Sequence, residues 1–206
     1  HLGKITIKPN GTITSEMFDE IPLFEGYRDY IKENRGGKEV YVDPDMNQFL
    51  KNIYESHGEE VKEVVGEIGF DLPINGKGVR ENNLCDLIVD SMRYYGNSDI
   101  CLMNSGSVRD GIKKGNITYN DVLNALPFAT KVIVMKVTGQ DILDALEFGM
   151  KNLPVYTSRF PQVSGISFKV NLDIPSSVVV NDIESFVRVD GERRVYDVFV
   201  GNEMLE

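Results

Sequence analysis

The chain has 206 residues, 41% of them hydrophobic and 26% charged, with a formal net charge of −10. That is enough apolar material for one real core, and the acid excess excludes nucleic acid as a bulk partner, since phosphate neutralisation needs clustered Lys and Arg. A small anionic ligand needs only a local arginine or two, and with no run of about 18 apolar residues no segment reads as a membrane-spanning helix.

Lys4-Ile5-Thr6-Ile7-Lys8 alternates and Pro9-Asn10-Gly11 turns, so residues 4–14 read as a short hairpin. Residues 15–42 lack clear periodicity, although Glu39 to Val42 suits a further short strand. Asp43-Pro44-Asp45 is a helix start: a capping carboxylate, a proline for the first turn, and acid facing the dipole. Met46, Phe49, Leu50, Ile53 and Tyr54 follow at helical spacing, which predicts a buried face on a helix ending near Ser56 or a little beyond. Val61 to Phe70 fits both patterns; Gly66, Gly69 and the β-branched residues favour a strand over its second half.

Asp71 to Arg80 is a loop with Pro73, Gly76 and Gly78, and Asn82 or Asn83 caps a helix that buries Leu84, Leu87, Ile88 and Met92 and stops at Gly96. A strand over Ile100–Met103 breaks at Asn104-Ser105-Gly106-Ser107, with Arg109 just beyond. Small residues at a strand end let backbone approach a ligand, and an arginine there offers a forked donor to phosphate or hydroxyl oxygens. Thr118 with Asp121 starts a short helix through Ala125, and the stretch closes on Leu126-Pro127-Phe128.

Lys131 to Val137 is β-rich, and Thr138 caps a helix carrying Ile142, Leu143, Leu146 and Met150. The irregular segment Arg159 to Gly165 leads into strands at Ile166–Val170, Val178–Val180, Phe186–Val189 and Arg194–Val200. Helices and strands mix without a βαβ rhythm, so the fold class is α+β. The two cysteines, Cys85 on a helix and Cys101 on the next strand, are placed either for a bridge or as buried free thiols.

Chemistry is narrowed by counting. A two-metal centre needs several His, Asp and Asn ligands, but the chain has only His1 and His57, the latter at a polar helix end. Ser105 and Ser107 have neither an elbow pattern nor a plausible base, and the scattered Glu and Asp residues read as solvated faces. Asn104 and Arg109 remain as groups able to hold ribose or phosphate. Phe128 and Phe160 are candidate stacking platforms if exposed, since an open aromatic ring can stack a nucleobase.

Six motifs then fall in a recognisable order: Glu81-Asn82-Asn83-Leu84-Cys85-Asp86-Leu87-Ile88, Asn104-Ser105-Gly106-Ser107-Val108-Arg109, Ile117-Thr118-Tyr119, Leu126-Pro127-Phe128, Thr138-Gly139, and Phe160-Pro161-Gln162-Val163-Ser164-Gly165. With these, residues 80–206 resemble the C-terminal, substrate-binding domain of the 5′-nucleotidase family, which includes UDP-sugar hydrolases and 2′,3′-cyclic-nucleotide phosphodiesterases. The resemblance implies a layered α/β/β/α domain with mixed sheets, stopping short of the family's C-terminus. Residues 43–79 would supply a linker helix and first strand, and residues 1–42 the tail of a preceding metallophosphatase domain or a connecting region.

It further implies that the missing N-terminal domain holds two divalent metal ions and cleaves, while this piece binds no cofactor, is inactive alone, and swings the nucleotide towards the metals. Asn104, Gly106, Arg109 and Phe128 would hold a nucleoside monophosphate or related nucleotide, with Phe160 a further aromatic. A further substrate-binding Arg of the family falls at Gly78 here, with Lys77 and Arg80 beside it, so Arg80 is its substitute. Cys101 matches a cysteine that is bridged in some members. A secreted, periplasmic or cell-surface location is expected from the resemblance. The alternative is a non-catalytic nucleotide-binding or surface module that keeps the fold.

Overall fold

The structure is a computed structural model that describes residues 2–8, 10–18 and 44–205; the expected Glu39–Val42 strand and the Asp43 cap lie outside them. The chain divides into two compact units, residues 1–56 and 57–206. In the first, β1 (Leu2–Ile7) pairs antiparallel with β2 (Ile13–Phe18). Gly11 makes the turn between them at φ +81°, a left-handed conformation that favours glycine. Helix α1 (Pro44–Val61) follows.

The predicted buried face of α1 is not buried. Met46, Phe49, Leu50 and Ile53 are 43–58% exposed: helical periodicity marks an apolar stripe but not how much of it is covered. The side chains of Tyr54 and His57 lie outside the described residues.

The second unit resolves the ambiguous stretch after α1 in favour of a strand. β3 (Val64–Ile68) pairs with β5 (Gly115–Thr118). Helix α2 (Asn83–Gly96) begins where the Asn82 side chain accepts the N–H groups of Leu84 and Cys85, and ends at Asn97 in the left-handed conformation. It packs on the antiparallel pair of β4 (Cys101–Asn104) and β6 (Pro161–Ser164). Leu72, Leu84, Cys85, Ile88, Val108, Ile112 and Ala125 form the core on this side.

Two further helices, α3 (Tyr119–Ala125) and α4 (Gly139–Met150), open with full capping boxes, Thr118 with Asp121 and Thr138 with Asp141. A second core, including Leu146, Met150, Phe160, Ile166, Val195 and Val198, joins α4 to the sheet of β7 (Ile166–Val170), β10 (Val195–Val200) and β11 (Glu203–Met204). β8 (Val178–Val180) and β9 (Phe186–Val189) make a separate pair. Every described ladder is antiparallel, and the fold is α+β as its sequence predicts.

Two further sequence expectations are corrected, and the choice left open for the cysteines is decided in favour of free thiols. Lys131 to Val137 forms no strand: β-branched residues favour extended backbone, but a ladder also needs a neighbour, and this segment pairs with none among the described residues. Cys85 and Cys101 are both free, and burial pushes both thiols up, Cys85 to about 11. The acids are not all solvated either. Glu147 is fully buried on α4, and Asp86 is half-buried in the first turn of α2.

Desolvation raises Asp86 to about 6, with the carboxylates of Glu81 and Asp90 pushing the same way. The positive end of α2 opposes them without prevailing. A carboxyl whose folded value lies above its unfolded one costs stability once ionised, so the penalty grows between about pH 4 and 6 and is complete above that. Asp86→Asn should therefore raise the unfolding midpoint at pH 7.5, and the gain should vanish at pH 3.5. A gain of equal size at both pH values in thermal melts would contradict this assignment.

Candidate functional site

β4 ends at Asn104, and the chain enters one tight helical turn, Ser105–Ser107. The turn is laced to the segment before β6. Ser105 N–H donates to the Phe160 carbonyl at 2.8 Å and Gly106 N–H to the Ser158 carbonyl at 2.9 Å. The Ser105 hydroxyl donates to the Thr157 carbonyl at 3.2 Å. Gly106 is glycine for want of room: a Cβ there would sit 2.8 Å from the Ser158 Cβ and 3.0 Å from its carbonyl oxygen.

The Asn104 amide spans the turn. Its Oδ1 accepts the Ser107 hydroxyl at 2.8 Å, and its Nδ2 donates to the Ser158 carbonyl at 3.3 Å. Arg109 leaves the turn with its N–H donating to the Ala125 carbonyl at 2.8 Å, which ties the turn to the end of α3. The same connection brings Phe128 close, so the Arg109 guanidinium stands 6.0 Å from the ring centroid. The Phe128 ring is 52% exposed. Arginine over an exposed ring is worth about 0.5–1 kcal/mol and leaves donor N–H groups for a ligand.

Asn104, Ser107 and Phe128 line one cleft of about 390 Å³, within the size range of small-molecule pockets. Thr130 and Lys131 line it too, two residues that sequence reasoning passed over. The signal was available, since both lie within three residues of Phe128, but Lys131 reads as the start of a β-rich run. No carboxylate lines the cleft; Lys131 does, and Arg109, which is not itself a lining residue, stands by the Phe128 ring, so the surroundings are locally cationic in a chain of net charge −10. It can stack a flat ring, hydrogen-bond hydroxyls and attract an anion.

Arg80 and Phe160 do not join this cleft. The Arg80 side chain folds back over Gly76, where a Cβ would meet its Nε at 2.4 Å. Phe160 is 7% exposed and belongs to the second core, so its ring offers no open face to a base. At Gly78 the Tyr156 ring takes the space, 2.5 Å from where a Cβ would stand. A second cavity, about 420 Å³, lies against Phe160 and Phe168; Glu81 and Asp86 line it and no cation does, which disfavours an anion. Among the described residues no group of three or more His, Cys, Asp or Glu is placed to hold a metal ion.

Antiparallel sheets and packed helices make an α+β domain, and its acid-free cleft, with one open aromatic ring, has the volume of a small molecule. Residues 58–202 match the family described as 5′-nucleotidase, C-terminal domain, and the chain belongs to that family. It is 29% identical to a 5′-nucleotidase of Vibrio parahaemolyticus over 90% of this chain and 34% of that protein. It is 33% identical to the 5′-nucleotidase of Vibrio cholerae over 69% of this chain and 26% of the relative. The trifunctional nucleotide phosphoesterase protein YfkN of Bacillus subtilis is 33% identical over 62% of this chain and 9% of its own length.

Among solved structures, a 5′-nucleotidase precursor from Thermus thermophilus superposes with a TM-score of 0.59 at 24% identity, covering 94% of this chain and 43% of that one. That likeness shows the fold. The chain spans about a third or less of the length of these curated relatives.

Proposed function

We propose that this chain is the nucleotide-recognition domain of a 5′-nucleotidase-type phosphohydrolase. In this reading a nucleobase stacks on Phe128, Arg109 neutralises the phosphate or bonds the ribose, and the Asn104 amide, released from its turn contacts, bonds the nucleoside. Gly106 lets the backbone come close. A separate N-terminal metallophosphatase domain with two divalent metal ions would hydrolyse the phosphate ester. The cleft's Asn, Ser, Thr, Lys, Arg and Phe are no ligand set for such ions, and their share of the work is to bind and orient. The family match and the relatives' names support the phosphohydrolase class.

The observation that carries the proposal is an acid-free cleft lined by Asn104 and Phe128, with the Arg109 guanidinium standing by the Phe128 ring. Calorimetry with adenosine 5′-monophosphate tests it. Arg109→Ala and Phe128→Ala should each weaken binding about tenfold, the order expected for losing a charge-assisted bond or a stacking platform. Variants that bind as tightly as the parent chain would overturn the assignment. Phosphate release by this chain alone, supplied with manganese, should be negligible, and robust turnover would overturn the division of labour.

A further inference from the structure

We infer that Lys77 is a positioning residue for the recognition turn, a buried clamp that sets the spacing of Asn104 and Arg109; this rests on the proposed nucleotide site. Lysine is almost never buried without a partner, yet Lys77 is 5% exposed and no carboxylate pairs with it among the described residues. Its Nζ instead donates to two backbone carbonyls, Ser105 at 2.6 Å and Val108 at 2.5 Å. Those carbonyls bracket the turn. Asn104 precedes the first and Arg109 follows the second, so each proposed contact residue is one peptide from a group that Lys77 holds.

The clamp is itself anchored. The Lys77 carbonyl accepts the Gln162 Nε2 at 2.8 Å, and Gln162, 1% exposed, also donates to the Arg80 carbonyl and accepts the Asn82 N–H. A fully bonded glutamine on β6 thus fixes the backbone from which Lys77 reaches under the turn. Burial pushes the ammonium down from its ordinary value, and Arg109 adds to this. Keeping a charge there is unfavourable unless it organises something. What it organises is the turn, whose Ser105 and Val108 carbonyls it holds together.

The test measures affinity for adenosine 5′-monophosphate and backbone amide spectra on the whole chain, for Lys77→Met, Lys77→Gln and a control, Val198→Ala. Val198 is buried in the other core, so its truncation lowers stability without touching the turn. Lys77→Met should bind about ten- to a hundredfold more weakly, with the amides of Gly106 to Arg109 shifted and faster to exchange. Lys77→Gln, which keeps one donor, should fall between, and it serves if Lys77→Met does not fold. Val198→Ala should bind like the parent chain despite its lower melting temperature. Parent-like binding by both Lys77 variants, or an equal affinity loss in Val198→Ala, would overturn the clamp. Should the parent chain fail to bind the nucleotide, the proposed site fails, and the spectra still judge Lys77: undisturbed turn amides in its variants would overturn the clamp on their own.

Discussion

Gly165→Ala is expected to cost roughly 3 kcal/mol or more of unfolding free energy in urea titrations, the scale of a strained backbone combined with a core clash. Gly165 joins β6 to β7, and at that residue the chain leaves one partner for another, from β4 to β10. It does so at φ +74°, in the left-handed region. A Cβ would stand 2.2 Å from the Asp99 carbonyl oxygen and about as close as contact allows to Arg93, at 3.1 Å from its Nε. The first obstacle is backbone just ahead of β4, the strand that carries the recognition turn, so relief would disturb the site as well. Gly201 provides the comparison: φ is +59° there, but nothing lies within 4 Å of the added Cβ. Gly201→Ala should cost only about 1 kcal/mol, the conformational part alone. Equal losses in the two variants would show that the Asp99 contact is not the cause.

Glu147→Ala is expected to be comparably damaging, by about 3–5 kcal/mol, because it strands two N–H donors in the interior and leaves a cavity where the side chain was. Glu147 is 0% exposed, and its two carboxylate oxygens accept the N–H groups of Arg194 and Val195 at 3.0 and 2.9 Å, where β10 begins. The Arg194 guanidinium in turn donates to the carbonyls of Met150, Lys151 and Leu153 at the end of α4, and its Nε to Ile174. The last turn of α4 carries no basic residue of its own, so an arginine just ahead of β10 supplies the cation that the negative helix end favours. Truncating Glu147 leaves two buried N–H groups unpaired and removes the anion nearest the Arg194 backbone. Glu147→Gln retains one acceptor and should lose about half as much in the same denaturation experiment. A loss below about 1 kcal/mol for Glu147→Ala, the level of a surface change, would contradict this account.

What the sequence made legible was local. The Asn82 cap, the Thr118–Asp121 and Thr138–Asp141 boxes and the strand that breaks at Asn104 are each decided within a few residues, and each stands where its pattern predicts. Arg109 and Phe128 were legible as candidates for the same reason, one following a turn and one ending a helix.

What stayed hidden depends on partners far along the chain. Lys77 reaches Ser105 and Val108, Gln162 reaches Lys77 and Asn82, and Glu147 reaches β10. No spacing rule encodes such pairings. The motif Phe160-Pro161-Gln162-Val163-Ser164-Gly165 shows the difference best. Phe160 fills the core, Gln162 locks the loop ahead of α2, Ser164 bonds Asp90 and Arg93, and Gly165 turns the strand, so the motif builds the platform under the site. Lys131 to Val137 and α1 failed for a different reason. Periodicity and β-branching report what a segment could bury or pair, and they do not say whether a neighbour stands there to do it.

In the proposed function a nucleotide sits in the cleft lined by Asn104 and Phe128, beside Arg109. Mapping backbone amide shifts of the chain during titration with adenosine 5′-monophosphate tests it most directly. The account predicts saturable shifts concentrated at residues 104–109 and 126–131, all lost together in a chain carrying both Arg109→Ala and Phe128→Ala. Shifts centred instead on the cavity by Asp86, Phe160 and Phe168, or a response that persists in the double variant, would contradict it.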